Sequence, residues 1–298
     1  MELKNAVVVI TGAGSGIGRA LAQQLAVHGA QLALADVNQA GLDETRSLLG
    51  FATVRTYIVD VGDAAAVEGF ARAVEKDFGR VSLVINNAGV ALFGTFAEVS
   101  VSEIEWLFRI NFWGVVHGCK SFLPLLRKEK EARIVNISSV LGMVGQPGQS
   151  AYCSSKFAVR GLSEVLREEL RGTGVGVTCV HPAGVNTKIA ANARAGAGTR
   201  AEDQAVAQGR FARVLSIPPD VAAQTIIRGI LKNKDRVLIG SDAYRIDFFT
   251  RLMPVRASAF LTKVMQKKLQ GRETAAPANR EAAQAERVKR EEVTPVPR

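Results

Sequence analysis

Tyr152 and Lys156 stand four residues apart at the head of an apolar-periodic stretch that runs through Phe157, Leu162, Val165, Leu166 and Leu170. An i,i+4 pair projects from one face of a helix, so the ammonium can lie beside the phenol. A free tyrosine titrates at about 10 and is a poor acid–base catalyst near neutrality. A neighbouring positive charge favours phenolate and brings the group toward working pH. Ser139 lies 13 residues before the tyrosine, at the end of an apolar run from Arg133 that reads as a buried strand. From a strand tip its hydroxyl could meet the same substrate oxygen. Pairs of this kind also arise by chance on solvated helix faces, so their weight rests on whether the rest of the chain builds a redox cofactor site.

The N-terminal stretch supplies elements for one. Ala6-Val-Val-Val-Ile10 is an apolar, β-branched run expected to form a buried parallel strand. It feeds a glycine turn, and a helix pattern follows through Ile17, Leu21 and Leu25 toward Gly29. Strand, turn and helix N-terminus gather backbone N–H groups where a pyrophosphate can bind. The candidate cradle is Gly12, Ser15, Gly16, Ile17 and Gly18, spaced GxxxGxG; Ile17 separates it from the GxGxxG fingerprint. Asp36 ends the second strand, 18 residues past Gly18, close to the ~20 expected of a ribose-binding acid. Its carboxylate can accept both ribose hydroxyls and repels a 2′-phosphate. Val37, Asn38 and Ser15 provide no cation for that phosphate, so NAD is expected over NADP. The competing role for Asp36 is a helix N-cap.

Strand and helix patterns then alternate. Thr53–Val59 reads as a strand ending at Asp60-Val61, and Val81–Ile85 as another ending in Asn86-Asn87-Ala88-Gly89. Ile104, Leu107, Phe108, Phe112, Val115, Val116 and Phe122 predict one long apolar-striped helix carrying Asn111. Val175–Val180 and Arg236–Ile239 complete a doubly wound parallel α/β sheet, in which ligands bind outside the carboxyl ends of the strands.

With TGAGSGIG at 11–18, Asp36, Asp60-Val61, NNAG at 86–89, Asn111, Ser139, YCSSK at 152–156 and HPAGVNT at 181–187, the chain resembles the short-chain dehydrogenase/reductase family over roughly its first 240 residues. The resemblance implies a Rossmann-type seven-stranded sheet with helices on both faces. It implies Tyr152 as general acid/base, Ser139 on the substrate oxygen, and Lys156 on the nicotinamide ribose, lowering the tyrosine pKa. Asn111 would hold a water of a proton relay, Asp60 and Val61 would meet adenine, and Asn87 would lie along the cofactor. Val185 and Thr187 would flank the nicotinamide amide. A homodimer or homotetramer pairing the Asn111 and Tyr152 helices, and a substrate lid over 188–216, are further implications. Ala183 departs from the usual glycine after the proline, with Gly184 next to it.

The implied organisation is a catalytic and NAD-binding domain over 1–241, a helical extension over 242–269 and a disordered tail over 270–298. Cys119, Cys153 and Cys179 are three scattered cysteines without CxxC spacing, so a reducing, cytoplasmic setting is expected, with neither disulfide framework nor metal. His28, His117 and His181 show no ligand spacing and read as structural. The start runs straight into a strand, so no signal peptide is expected. Of the net charge of +10, six basic residues and one acid between Tyr244 and Gln270 carry half. No recognised nucleic-acid motif accompanies them, which argues against nucleic acid. The apolar residues of the extension need burial; packing over the cleft or at a subunit boundary ranks first, and peripheral membrane contact second. Together these features predict an NAD-dependent oxidoreductase interconverting a secondary alcohol and a ketone, with a lipophilic substrate. The alternative is a cofactor-binding regulatory or scaffold protein without turnover.

Overall fold

The computed structural model describes residues 1–200, 202–204, 209, 211, 214–260 and 262–263. Seven parallel strands form the sheet: β1 (Val7–Thr11), β2 (Gln31–Asp36), β3 (Val54–Ile58), β4 (Leu83–Asn86), β6 (Ala132–Ile137), β7 (Val175–Pro182) and β9 (Arg236–Ile239). Their order is β3-β2-β1-β4-β6-β7-β9, so the winding reverses between β1 and β4. Every residue of β1, β4 and β6 is buried. That explains why these strands are continuous apolar runs and not alternating ones.

Helices cover both faces. On one, α1 (Gly16–Val27) and α7 (Pro219–Leu231) bury Leu21, Leu25, Ile226 and Ile230 against Ile10, Leu34 and Ile85. On the other, α3 (Ala64–Phe78), α5 (Gly114–Leu126) and α6 (Ser150–Glu169) bury Phe70, Phe122 and Val159 against Val9, Val84 and Ile134. The α2 helix (Gln39–Ser47) flanks β2 and β3. All strands are parallel, so Thr11, Asp36, Asn86, Ile137 and Pro182 end at one edge of the sheet.

The structure departs from the sequence expectations at two places. The long helix predicted through Asn111 is α4 (Val101–Phe108), a five-residue π turn Arg109–Trp113, and then α5. A second, two-stranded sheet pairs β5 (Leu92–Phe93) with β8 (Arg194–Ala195). It ties the stretch read as a lid to the loop after β4. The Arg194 guanidinium lies 3.9 Å over the Trp106 ring, and Glu103 accepts from the Ala197 amide at 2.9 Å. Part of the 188–216 stretch and the whole of 270–298 lie outside the described residues.

Beyond β9, α8 (Ser241–Leu252) packs on β9 and on the 3₁₀ turn Val140–Gly142. Asp247 receives Arg236 at 2.6 Å and Arg251 at 3.1 Å, which bolts the helix to the sheet.

Gly118 of α5 faces β4, and a Cβ placed there collides with the buried Asn86 side chain. Asn86 is held by its own bond to Asn136 at 2.8 Å and cannot swing away. Gly118→Ala is therefore expected to cost about 1–3 kcal/mol by overpacking. Thermal unfolding should show a Tm lower by several degrees with cofactor affinity unchanged.

Candidate active site

At the switch point the chain threads through places where side chains do not fit. Gly12 and Gly16 have φ of 66° and 52°, a region costly for other residues. A Cβ on Gly18 would collide with the Gly12 carbonyl oxygen. Asn87 braces this turn: its side-chain amide donates to the Thr11 and Gly12 carbonyls at 2.9 and 3.1 Å. The structure thus uses Asn87 to lock β4 to the glycine turn. Ser15 precedes α1 without capping it by its side chain, whereas Asn38, Asp63 and Ser100 cap α2, α3 and α4. No acid occupies the first turn of α1. A glycine cradle with close backbone approach, open to an anion at a helix N-terminus, fits a dinucleotide pyrophosphate.

Asp36 ends β2 beside that cradle. Its two carboxylate oxygens accept from the Gly14 amide at 2.9 Å and the Asn38 amide at 3.0 Å. The N-cap of α2 is Asn38, not Asp36. Arg19 is engaged by Glu44 and by the Thr45 hydroxyl, so its guanidinium is turned to α2. Asp60 accepts from Arg109 at 2.8 Å and from the Gly62 amide at 2.8 Å. Burial pushes its carboxyl up, but Arg109 and that amide together hold it below the usual range. Val61 is buried, and its carbonyl meets His117 Nδ1 at 2.9 Å. Thr187 faces the cradle from the second half of the sheet, its Cγ2 3.0 Å from where a Gly16 Cβ would stand. Val185 is buried nearby, and Gly184 lies so close to the Val214 carbonyl that a Cβ would collide with it. The glycine needed after Pro182 thus sits one position beyond Ala183.

The predicted catalytic set converges at the ends of β4 and β6. Lys156 is 4% exposed, donates to the Ile137 carbonyl at 3.0 Å and lies 5.7 Å from the Tyr152 ring centre. Burial pushes the Tyr152 phenol up to about 12, and a hydrogen bond with Ser139 offsets part of that rise. Burial pulls the Lys156 ammonium down to about 8. This is the opposite emphasis to the sequence expectation of a phenol lowered by its lysine. Both groups share one low-dielectric volume, and desolvation there outweighs their mutual influence. The Ser139 hydroxyl caps the 3₁₀ turn through Leu141 at 3.1 Å. Asn111, fully buried in the π turn, exchanges two bonds with Val90 at 2.8 and 3.0 Å and reaches the Ser155 hydroxyl at 3.3 Å.

Three positioning residues, Gly89, Ser138 and Ser155, were not singled out from sequence, and a fourth, His181, reads there as structural. A Cβ on Gly89 would sit 3.3 Å from Asn111 Oδ1 and 3.5 Å from Lys156 Nζ. The Ser138 and Ser155 hydroxyls donate to the Lys156 and Tyr152 carbonyls, each at 2.8 Å. His181 Nδ1 meets the Ser139 carbonyl at 3.0 Å, and burial takes its pKa down to about 4. Gly89, Ser155 and His181 lie inside motifs already noted, but only three-dimensional contact assigns them work. An apolar wall completes the site: Leu92, Phe93, Leu141, Val144 and Ala151 cluster with Tyr152, and Ile246 of α8 packs on them.

This is the architecture of a dinucleotide-binding oxidoreductase, and comparison with known proteins makes it particular. The short chain dehydrogenase pattern matches residues 6–198, and the chain belongs to that family. It is similar to the SadH protein of Mycobacterium tuberculosis, 46% identical over 253 residues covering 83% of this chain and 90% of that one. Estradiol 17-beta-dehydrogenase 11 of Homo sapiens is 33% identical over 263 residues, 86% of this chain and 82% of its own. A short chain dehydrogenase/reductase from Burkholderia phymatum in complex with NAD superposes with a TM-score of 0.79, at 32% identity, over 86% of this chain and 96% of that one. An alcohol dehydrogenase from Thermococcus sibiricus complexed with 5-hydroxy-NADP gives 0.67, at 27% identity, over 78% and 95%. The chain is an NAD(P)-dependent oxidoreductase of this family acting on CH–OH donors.

Keeping Lys156 charged in the interior costs stability. Its folded pKa of about 8 lies below the unfolded value of 10.5. The penalty is complete below pH 8, on the order of 3 kcal/mol, and fades as pH rises from about 8 to 10.5. Lys156→Met should therefore raise Tm at pH 7 by several degrees while abolishing turnover. The gain should shrink at pH 10.5, as calorimetry at the two pH values would show.

Proposed function

We propose that the protein interconverts a secondary alcohol and a ketone with NAD, Tyr152 acting as general acid and base. The observation that carries this reading is the convergence of Tyr152, Ser139 and Lys156 in one buried, apolar-walled spot beside a glycine cradle. When bound, the oxidised nicotinamide supplies a hydride acceptor and one positive charge. Tyr152 takes the alcohol proton in oxidation and returns it in reduction. Ser139 hydrogen-bonds the substrate oxygen and orients it toward the phenol. Lys156 would hold the nicotinamide ribose, and its charge steadies the phenolate once formed. Asn111 anchors the loop at Val90 and, through its place beside Lys156, serves the proton path. The glycine turn with Ser15 and Ile17 would bind the pyrophosphate, Asp60 and Val61 the adenine, and Val185 and Thr187 the amide.

Preference for NAD is supported by Asp36, whose carboxylate ends β2 beside the glycine cradle, while nearby Arg19 is engaged by Glu44. One solved relative holds NAD and another 5-hydroxy-NADP, so the choice rests on Asp36. A lipophilic substrate is supported by the leucine, valine and phenylalanine wall around Tyr152. It is also supported by the relative named as an estradiol dehydrogenase. Exposed Trp113, Phe157 and Val165, with Gly161 open to close approach, support a homodimer or homotetramer built on α5 and α6. Three buried free cysteines suit a cytoplasmic protein.

Tyr152→Phe removes only the transferable proton. It should leave the NAD dissociation constant within a few-fold and lower kcat by roughly 10²–10⁴, read with a panel of secondary alcohols and ketones. Retained turnover would overturn the assignment. For cofactor choice, wild type should favour NAD in kcat/KM. Asp36→Ala should narrow the margin, and adding Val37→Arg should turn it toward NADP, because a phosphate partner replaces a repulsion. A wild-type enzyme faster with NADP would refute the role of Asp36.

A further inference from the structure

The outer side of α8 is not used by the catalytic site. Its inner side is packed: Ala243 is fully buried, Ile246 joins the wall at Tyr152, and the Phe249 ring meets that of Phe260 at 5.1 Å. Tyr244, Phe248 and Leu252 recur every four residues on the outer side and are 61%, 60% and 64% exposed. Val255, in the turn that follows, is 90% exposed. An apolar stripe of this kind on a surface helix marks an interaction face. At 3.6 residues per turn, Arg251 and Arg245 fall on the two flanks of the stripe, and Arg256 and Lys263 follow it, all exposed.

We propose that this face docks on an anionic lipid bilayer, with Phe248, Leu252 and Val255 entering the headgroup boundary and the arginines meeting lipid phosphates. Charge chooses this occupant. The segment from Ser241 to Gln270 carries six basic residues and two acids; Asp242 pairs with Arg245, and Asp247 with Arg236 and Arg251. Within α8 two acids balance two arginines, so the excess is carried by Arg256, Lys263, Lys267 and Lys268 beyond it, and an anionic surface matches that excess. No helix among the described residues is long and apolar enough to cross a membrane, so the contact is one of lying on the surface. Docking does not depend on which alcohol or ketone is turned over.

The test is flotation of the full-length protein with vesicles of phosphatidylcholine alone or with phosphatidylglycerol added, at low and high salt. The expected result is co-flotation with the anionic vesicles at low salt and release at high salt, with little binding to phosphatidylcholine. The double variant Phe248→Glu with Leu252→Glu should weaken binding at least about tenfold, while Tm and turnover of a water-soluble ketone stay at wild-type values. Sedimentation of both proteins accompanies the flotation. Full-length protein that stays unbound at low salt overturns the proposal. So does a double variant that floats as well as wild type, or one that loses an oligomeric state, since the face would then be a subunit contact.

Discussion

Holding an ammonium and a phenol in the same dry volume is the requirement that the surrounding structure answers. An interior charge is costly unless its partners are fixed, and among the described residues Lys156 has one acceptor, the Ile137 carbonyl. The backbone around it is clamped instead. Ser138 occupies the Lys156 carbonyl and pins the first turns of α6 to the end of β6, while Ser155 binds the Tyr152 carbonyl within α6. Gly142 is the other half of the clamp, since a Cβ there would stand 2.7 Å from the Lys156 carbonyl oxygen. With α6 unable to roll, the two side chains keep their relation while their protonation changes.

A second brace sets the cofactor side against this one. Asn87 and Gly18 interlock with the Gly12 carbonyl, and Asp36 holds the Gly14 amide, so the turn is tied to both β4 and β2. Thr187 then abuts Gly16 from the far side of the switch point. The glycine cradle and the catalytic residues are therefore walls of one cleft, and the seven-stranded sheet is the part that fixes their separation. Rigid strand ends carrying the groups, with their side-chain supports, make a preorganised site.

Much of this was legible because it lies at strand ends. Apolar runs of β-branched residues marked β1, β4 and β6, and the residue just past each run was a candidate by position alone. The spacing of Tyr152, Lys156 and Ser139 and the distance from Gly18 to Asp36 are local quantities that a linear reading can hold. What escaped it depends on contacts between distant segments. The β5–β8 pairing joins two-residue strands about a hundred positions apart. The work of His181 exists only because the Ser139 carbonyl crosses β7. The rise that burial imposes on Tyr152 is illegible for a related reason. Spacing reveals a neighbouring charge but not how much water is excluded around the pair.

The π turn at Arg109–Trp113 shows the same limit in its clearest form. The apolar stripe from Ile104 to Phe122 reads as an unbroken helix, yet the Gly114 amide bonds to the Arg109 carbonyl, one residue wider than an α-turn. Such insertions cost helix energy and persist where tertiary contacts repay it. Here there are two sets of them. Arg109 turns outward to Asp60 at the end of β3, and Asn111 turns inward to Val90 and Ser155 beside the catalytic lysine. Gly114 meanwhile lies against the Val61 side chain, where a Cβ would approach within 2.7 Å. A regular helix would rotate everything beyond the turn by about 100° relative to these partners. The widened turn therefore lets one helix face the cofactor end, the proton path and the core at once, and no apolar periodicity encodes it.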